Sequence, residues 1–165
     1  MISLIIIAMI LTGIDQIIKM IISNTLVLNE SIKVIKEFFY ITNVHNYGAA
    51  WSILNNQVWL LIIIAVIALI VIYMSFIKDK KLSKLDIVLL SMLIAGIIGN
   101  LIDRVIYGYV IDYLEFYIFG YNFPVFNLAD TLIVLSAIAL FIKSLKEEYN
   151  GKIHSSREWR KHTYW

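Results

Sequence analysis

The chain has 165 residues, 61% hydrophobic and 16% charged, with a formal net charge of +2, one Pro and no Cys. Soluble domains carry roughly 45–50% apolar and about 25% charged residues, so this composition excludes a predominantly water-facing surface and indicates a membrane protein. The small net charge gives no ground for nucleic-acid binding, and the absence of Cys removes disulfides, thiolate metal sites and cysteine nucleophiles.

Crossing about 30 Å of hydrocarbon takes roughly 20 mostly apolar residues, and four stretches qualify. The first, residues 1–22, carries Asp15 and Lys19. It has no basic leading region and no small-residue exit, so it is expected to remain as a spanning helix rather than be cleaved as a signal peptide. Asp15 and Lys19 stand i,i+4 and can meet on one face, either as a neutralised pair or with the Lys reaching toward the interface. Residues 31–51 contain Ile32, Val34, Ile35, Phe38, Phe39, Tyr40 and Ile41, which favour strand, and Asn46-Tyr47-Gly48 signals a turn. A small extracytoplasmic sheet is expected there.

The second span, 58–77, has no ionisable residue. The third, 85–102, carries Asn100 near its end and is followed by Asp103 and Arg104; the three share a helix face, and Arg104 can hold a carboxylate through two parallel hydrogen bonds, or the group can serve as an interfacial anchor that ends the helix. Residues 107–124 are rich in aromatics (Tyr107, Tyr109, Tyr113, Phe116, Tyr117, Phe119, Tyr121, Phe123), the composition of a segment lying at the membrane interface, and they include Asp112. The fourth span, 126–145, opens with Asn127 as N-cap and Asp130 at the third helical position, a capping box with Asp in place of Glu. On local grounds alone Asp130 is a capping residue before it is a catalyst. The tail, 146–165, mixes basic residues with Tyr149, Trp159, Tyr164 and Trp165, which suits a solvated tail or one that grazes anionic lipid.

Lys and Arg in short loops set topology. Lys78, Lys80, Lys81 and Lys84 follow the second span and Lys146, Lys152, Arg157, Arg160 and Lys161 follow the fourth, whereas the other two connectors hold only Lys33, Lys36 and Arg104. Both termini are therefore expected in the cytoplasm. That orientation brings Lys19, Asn100, Asp103, Arg104, Asn127 and Asp130 to one depth near the outer face, with Asp15 slightly deeper. Ionisable groups in membranes usually face a cavity or a partner. A proton-coupled transporter would instead place charges at mid-membrane and show repeat symmetry, neither of which is visible; in an assembly factor the same charges would serve packing.

Four groups of residues, Asn46-x-Gly48-x-Ala50, Gly99-Asn100-Leu101-Ile102-Asp103-Arg104, Val110-Ile111-Asp112-Tyr113 and Phe126-Asn127-Leu128-Ala129-Asp130, together resemble the prokaryotic lipoprotein signal peptidases, or signal peptidase II. Asp15-Gln16-x-x-Lys19 is similar to that family's N-terminal motif. Trp51 and Tyr113 stand where the family often has Phe, and Ala95 where Gly is frequent. The resemblance implies an intramembrane aspartyl peptidase that removes the signal peptide from prolipoproteins on the amino side of a diacylglyceryl-modified cysteine. It implies Asp112 and Asp130 as the catalytic pair, with Asp15, Lys19, Asn46, Gly48, Asn100, Asp103, Arg104 and Asn127 supporting the site or the substrate. The implied fold is a single mainly α membrane domain of four transmembrane helices, with a small extracytoplasmic β-sheet and an interfacial helix after Tyr113. No metal or other cofactor is expected; the expected partners are lipidated prolipoproteins and membrane lipid, with the enzyme a monomer.

Two carboxyl groups sharing one proton can hydrolyse an amide, the ionised one taking a proton from water while the neutral one polarises the carbonyl. The positive end of the fourth helix favours ionisation of Asp130 with the resting proton on Asp112, but the two titrate as a unit and the sequence fixes no assignment within the pair. Other constellations are weaker. His45 reads as a loop or interfacial residue, His154 and His162 lie in the tail, and Ser23, Ser31 and Ser52 lack the context of a Ser-Lys peptidase.

Overall fold

The computed structural model describes residues 1–49 and 53–162, with 151–162 as backbone. Ala50, Trp51 and Ser52, and Tyr164 and Trp165 of the tail, lie outside the described residues, as does the side chain of Trp159. Four helices are long and apolar enough to cross a membrane. α1 is Ile2–Thr25, α2 is Val58–Ile72 and runs on through a π-helical turn at Tyr73–Ile77, α3 is Lys84–Tyr107, and α4 is Leu128–His162. α1 runs to Thr25, a few residues past the expected stretch, and α3 runs to Tyr107 because Asp103 and Arg104 continue the third helix instead of ending it. α4 carries on as helix well beyond 145, where a separate tail was expected to begin.

α3 is the central helix and packs on α1, α2 and α4. Its N-terminus is closed by a capping box between Ser83 and Asp86, and Asp86 also pairs with Lys143 of α4. Close approach of α3 to its neighbours depends on small residues, the usual device where helices meet in lipid. A Cβ on Gly96 would run into the Ala129 carbonyl oxygen and lie 2.7 Å from Ile133 Cγ1, and one on Gly99 would lie 2.6 Å from Asp15 Oδ2. Both glycines therefore serve contact between helices. Leu4, Ile72, Ile77 and Leu90 form an apolar cluster at one end of the bundle, and Ile22, Leu26, Ile111 and Tyr113 form another where the bundle meets the sheet. Most of α2 is exposed apolar surface, as a lipid-facing helix requires.

The sheet has four antiparallel strands in the order β1-β2-β3-β4: Ser31–Ile35, Phe39–Asn46, Val110–Ile118 and Tyr121–Asn122. Only β1 and β2 come from the segment expected to form it. The interfacial helix expected after Tyr113 is absent: that stretch is β3 and β4. β-Branched and aromatic side chains from Val110 to Ile118 suit a pleated surface, and β2 offers a free edge to pair with. Phe116 stacks on Phe39 at 4.6 Å and on Phe126 at 5.7 Å between ring centroids. The register of β2 against β3 slips between Ile41 and Val44, so that Thr42 and Asn43 both face Tyr113 across the ladder, a bulge that buries two consecutive residues of one strand.

Candidate active site

Asp112 lies near the start of β3 and Asp130 in the first turn of α4, so sheet and bundle each contribute one carboxyl group. Asp112 is 1% exposed, whereas Asp130 is half-buried. Three asparagine side chains hold the pair. Asn46 Nδ2 donates to Asp112 Oδ2 at 2.9 Å, Asn127 Nδ2 to Asp112 Oδ1 at 2.7 Å, and Asn100 Nδ2 to Asp130 Oδ1 at 2.7 Å. The remaining Asp130 oxygen, Oδ2, accepts the Asn127 backbone N–H at 3.2 Å, and the Asp130 N–H donates back to Asn127 Oδ1 at 2.9 Å. The expected capping box is therefore present, and through Asn127 the cap of α4 is also a clamp on Asp112.

Asp15, Lys19 and Asp103 form a buried ion cluster behind the pair. Lys19 Nζ lies 2.9 Å from Asp15, 2.8 Å from Asp103 and 2.9 Å from Asn100 Oδ1, which uses all three ammonium protons. The two carboxylates then reach outward. Asp103 Oδ2 accepts the Ile111 N–H at 3.2 Å and Asp15 Oδ1 accepts the Ala129 N–H at 3.0 Å. Each thus fixes the backbone residue immediately before one member of the carboxyl pair.

Arg104 differs from the expectation of a two-pronged grip on a carboxylate. Its Nη2 donates to the Gly48 carbonyl at 2.9 Å and its Nη1 to the Asn100 carbonyl at 3.4 Å, because α3 aims it at the loop that leaves β2. The guanidinium is still close enough to Asp130 and Asp112 to interact with both electrostatically. Gly48 is buried, and its N–H closes a turn on Asn46 Oδ1 at 2.9 Å, which orients the Asn46 amide toward Asp112. All ten expected site residues therefore belong to one hydrogen-bonded assembly.

Two further residues join it. Gln16 Nε2 donates to Asp103 Oδ1 at 2.9 Å and to the Gly99 carbonyl at 3.1 Å, locking α1 to α3. Tyr113 is buried, and its hydroxyl oxygen accepts the Leu128 N–H at 3.1 Å. Phe at 113 would lack that acceptor and strand a helix-start N–H. Tyr113→Phe is expected to lower stability by about 1–3 kcal/mol, the usual cost of an unsatisfied buried donor, and thermal unfolding in detergent measures it.

Burial, and next the neighbouring Asp130 carboxylate, push the Asp112 carboxyl from the ordinary value near 3.8 up to about 7. Burial likewise raises the Tyr113 hydroxyl to about 12, so it stays neutral.

The chain matches the family model for signal peptidase (SPase) II over residues 7–146. A lipoprotein signal peptidase of Staphylococcus aureus (strain MRSA252) is 41% identical over 148 residues, covering 90% of this chain and 91% of that protein. The corresponding protein of strain JH9 is 40% identical with the same coverage. A bacterial membrane enzyme solved by the in meso method at 2.3 Å superposes with a TM-score of 0.82 at 40% identity, over 90% of each chain. Another, solved at 1.9 Å, gives 0.78 at 41% identity over 87% of this chain and 93% of that one.

Proposed function

The chain belongs to the signal peptidase II family of membrane peptidases, and from that premise we propose that it is an intramembrane aspartyl endopeptidase that frees prolipoproteins of their signal peptides. The observation that carries this reading is the pairing of Asp112 and Asp130 through Asn127 at the seam between sheet and bundle. Asp112 holds the shared proton and Asp130, at the positive end of α4, is ionised. Asp130 takes a proton from water, the water oxygen attacks the scissile carbonyl carbon, and Asp112 gives its proton to the carbonyl oxygen. Collapse of the tetrahedral species breaks the C–N bond as the amine receives a proton from the dyad, leaving the lipid-bearing cysteine with a free amino group.

With both termini cytoplasmic, the pair lies near the outer leaflet, where a diacylglyceryl cysteine also keeps its acyl chains. We infer that Asn46, Asn100, Arg104 and Asn127 support the pair or meet the backbone of an extended peptide, whose amides need partners in an apolar cleft, and that Gly48 lets that backbone approach closely. Every group used comes from one chain, so a monomer suffices.

The test is cleavage of a prolipoprotein with and without its diacylglyceryl group by the purified enzyme in detergent. Cleavage confined to the lipidated form, at the bond before the cysteine, is expected; equal cleavage of both forms, or at another bond, overturns the substrate assignment.

A pH profile tests the proton assignment. Turnover is expected to fall as pH rises through about 7, where Asp112 loses its proton. Stability carries the same sign. Between the ordinary value near 3.8 and about 7 the folded chain keeps a proton that the unfolded chain has released, so this group's contribution to stability declines as pH rises across that window. Thermal unfolding against pH, with Asp112→Asn as the control that lacks this slope, measures it.

A further inference from the structure

The end of the sheet farthest from Asp112 is built from two turns. Phe39 pairs with Phe116, and the Tyr117 N–H donates to the Phe38 carbonyl at 2.8 Å, so the β1–β2 turn and the β3–β4 turn lie side by side. Between them they expose Ile35, Phe38, Ile118, Phe119 and Tyr121. Single exposed apolar residues are ordinary, but a group of them together marks a surface that something apolar covers.

Phe119 is the sharpest of these. Ile118 pairs with Tyr121, leaving Phe119 and Gly120 as a two-residue turn in which both have positive φ, 51° and 79°. Such turns favour Asn, Asp or Gly, because a Cβ makes the left-handed region unfavourable. Phe119 bears that cost without packing on the fold, being 106% exposed. An aromatic ring held in an unfavourable backbone conformation and turned away from its own chain gains nothing from the folded molecule alone.

The sequence around the tip indicates what covers it. From Phe116 to Ala129 no residue is charged, and the stretch runs without a break into the first turn of α4, one of the helices apolar enough to cross a membrane. Tyr121, beside the turn, is of the type enriched where a membrane meets water. The charged residues of the neighbouring turn, Lys36 and Glu37, pair with each other at 3.4 Å and leave no net charge there. A second copy pairing edge to edge is poorly served, since β4 is only two residues long.

We propose that the β3–β4 turn, led by Phe119, inserts into the lipid leaflet on the sheet side of the membrane, with Phe38 and Ile35 of the neighbouring turn resting on the same surface. β3 is then held by the bundle near Asp112 and by lipid about 20 Å away, the reach of the strand from 112 to 118.

The chain has no cysteine, so a nitroxide on a single introduced Cys reports from one place. Tyr121→Cys and Lys33→Cys, the second an exposed charged position on the same sheet, are labelled in the full-length protein and reconstituted in liposomes of phosphatidylglycerol and phosphatidylcholine. Electron paramagnetic resonance compares collision with oxygen, which concentrates in hydrocarbon, and with a water-soluble nickel chelate. The oxygen-to-nickel ratio at 121 is expected to exceed that at 33 at least about threefold, as for a group some ångströms inside the acyl boundary. Adding Phe119→Asn, which suits positive φ and keeps the turn, is expected to bring the ratio at 121 down towards that at 33. Equal ratios at the two positions, or a ratio at 121 that Phe119→Asn leaves unchanged, overturns the proposal. So does shielding of position 121 from both reagents with dipolar broadening between labels, which assigns the tip to a second copy.

Discussion

Asp112→Asn and Asp130→Asn are each expected to reduce cleavage of a lipidated precursor by at least about a thousandfold, in the range that loss of general acid–base catalysis costs. The substitutions keep shape but remove the proton chemistry. At 112 the new amide nitrogen would face either Asn46 Nδ2 or Asn127 Nδ2, so one of two hydrogen bonds is lost. At 130 the same conflict arises between the Asn127 N–H and Asn100 Nδ2. One lost bond at each site costs about 1–3 kcal/mol, and the fold should survive. Cleavage assays and thermal unfolding on the same samples separate lost catalysis from lost structure. Near-normal cleavage by either variant would sink the dyad, and a biological role that persists without cleavage would favour a transporter or an assembly factor.

Lys19→Met is expected to act through structure instead. It removes the ammonium between Asp15 and Asp103 and leaves two carboxylates buried without a counter-charge, at a cost of about 3–5 kcal/mol. The damage should reach the site, because those carboxylates hold the N–H groups of Ile111 and Ala129 beside Asp112 and Asp130. Loss of both thermal stability and turnover is expected. Adding Asp15→Asn to Lys19→Met should recover part of the stability, since one unpaired charge is then gone. If Lys19→Met unfolds at the wild-type temperature, the cluster does not hold the fold.

The spans were legible because a run of apolar residues needs no tertiary partner to declare itself, and the Asp15 to Lys19 contact followed from helical spacing alone. The capping box at Asn127 and Asp130 was equally local. The third and fourth strands were not, because an aromatic-rich segment reads the same whether it lies on a membrane or in a sheet; the free edge of β2, far away in sequence, decides it. Arg104 shows a similar limit. Its position on the helix face was readable, but its hydrogen-bond acceptor, the Gly48 carbonyl, lies 56 residues away. The cross-element grips of Gln16 on α3, Asp103 on β3 and Tyr113 on α4 depend on packing that no local pattern encodes.

The first turn of α4 is closed by Asp15 from α1, Tyr113 from β3 and its own cap residue Asn127. Because α4 follows the other three spans in chain order, a nascent chain carries those spans and Asp112 before Asp130 exists. On the proposed dyad, synthesis itself keeps the peptidase latent, and activity begins when α4 docks and completes a hydrogen-bonding arrangement that the preceding elements have already prepared.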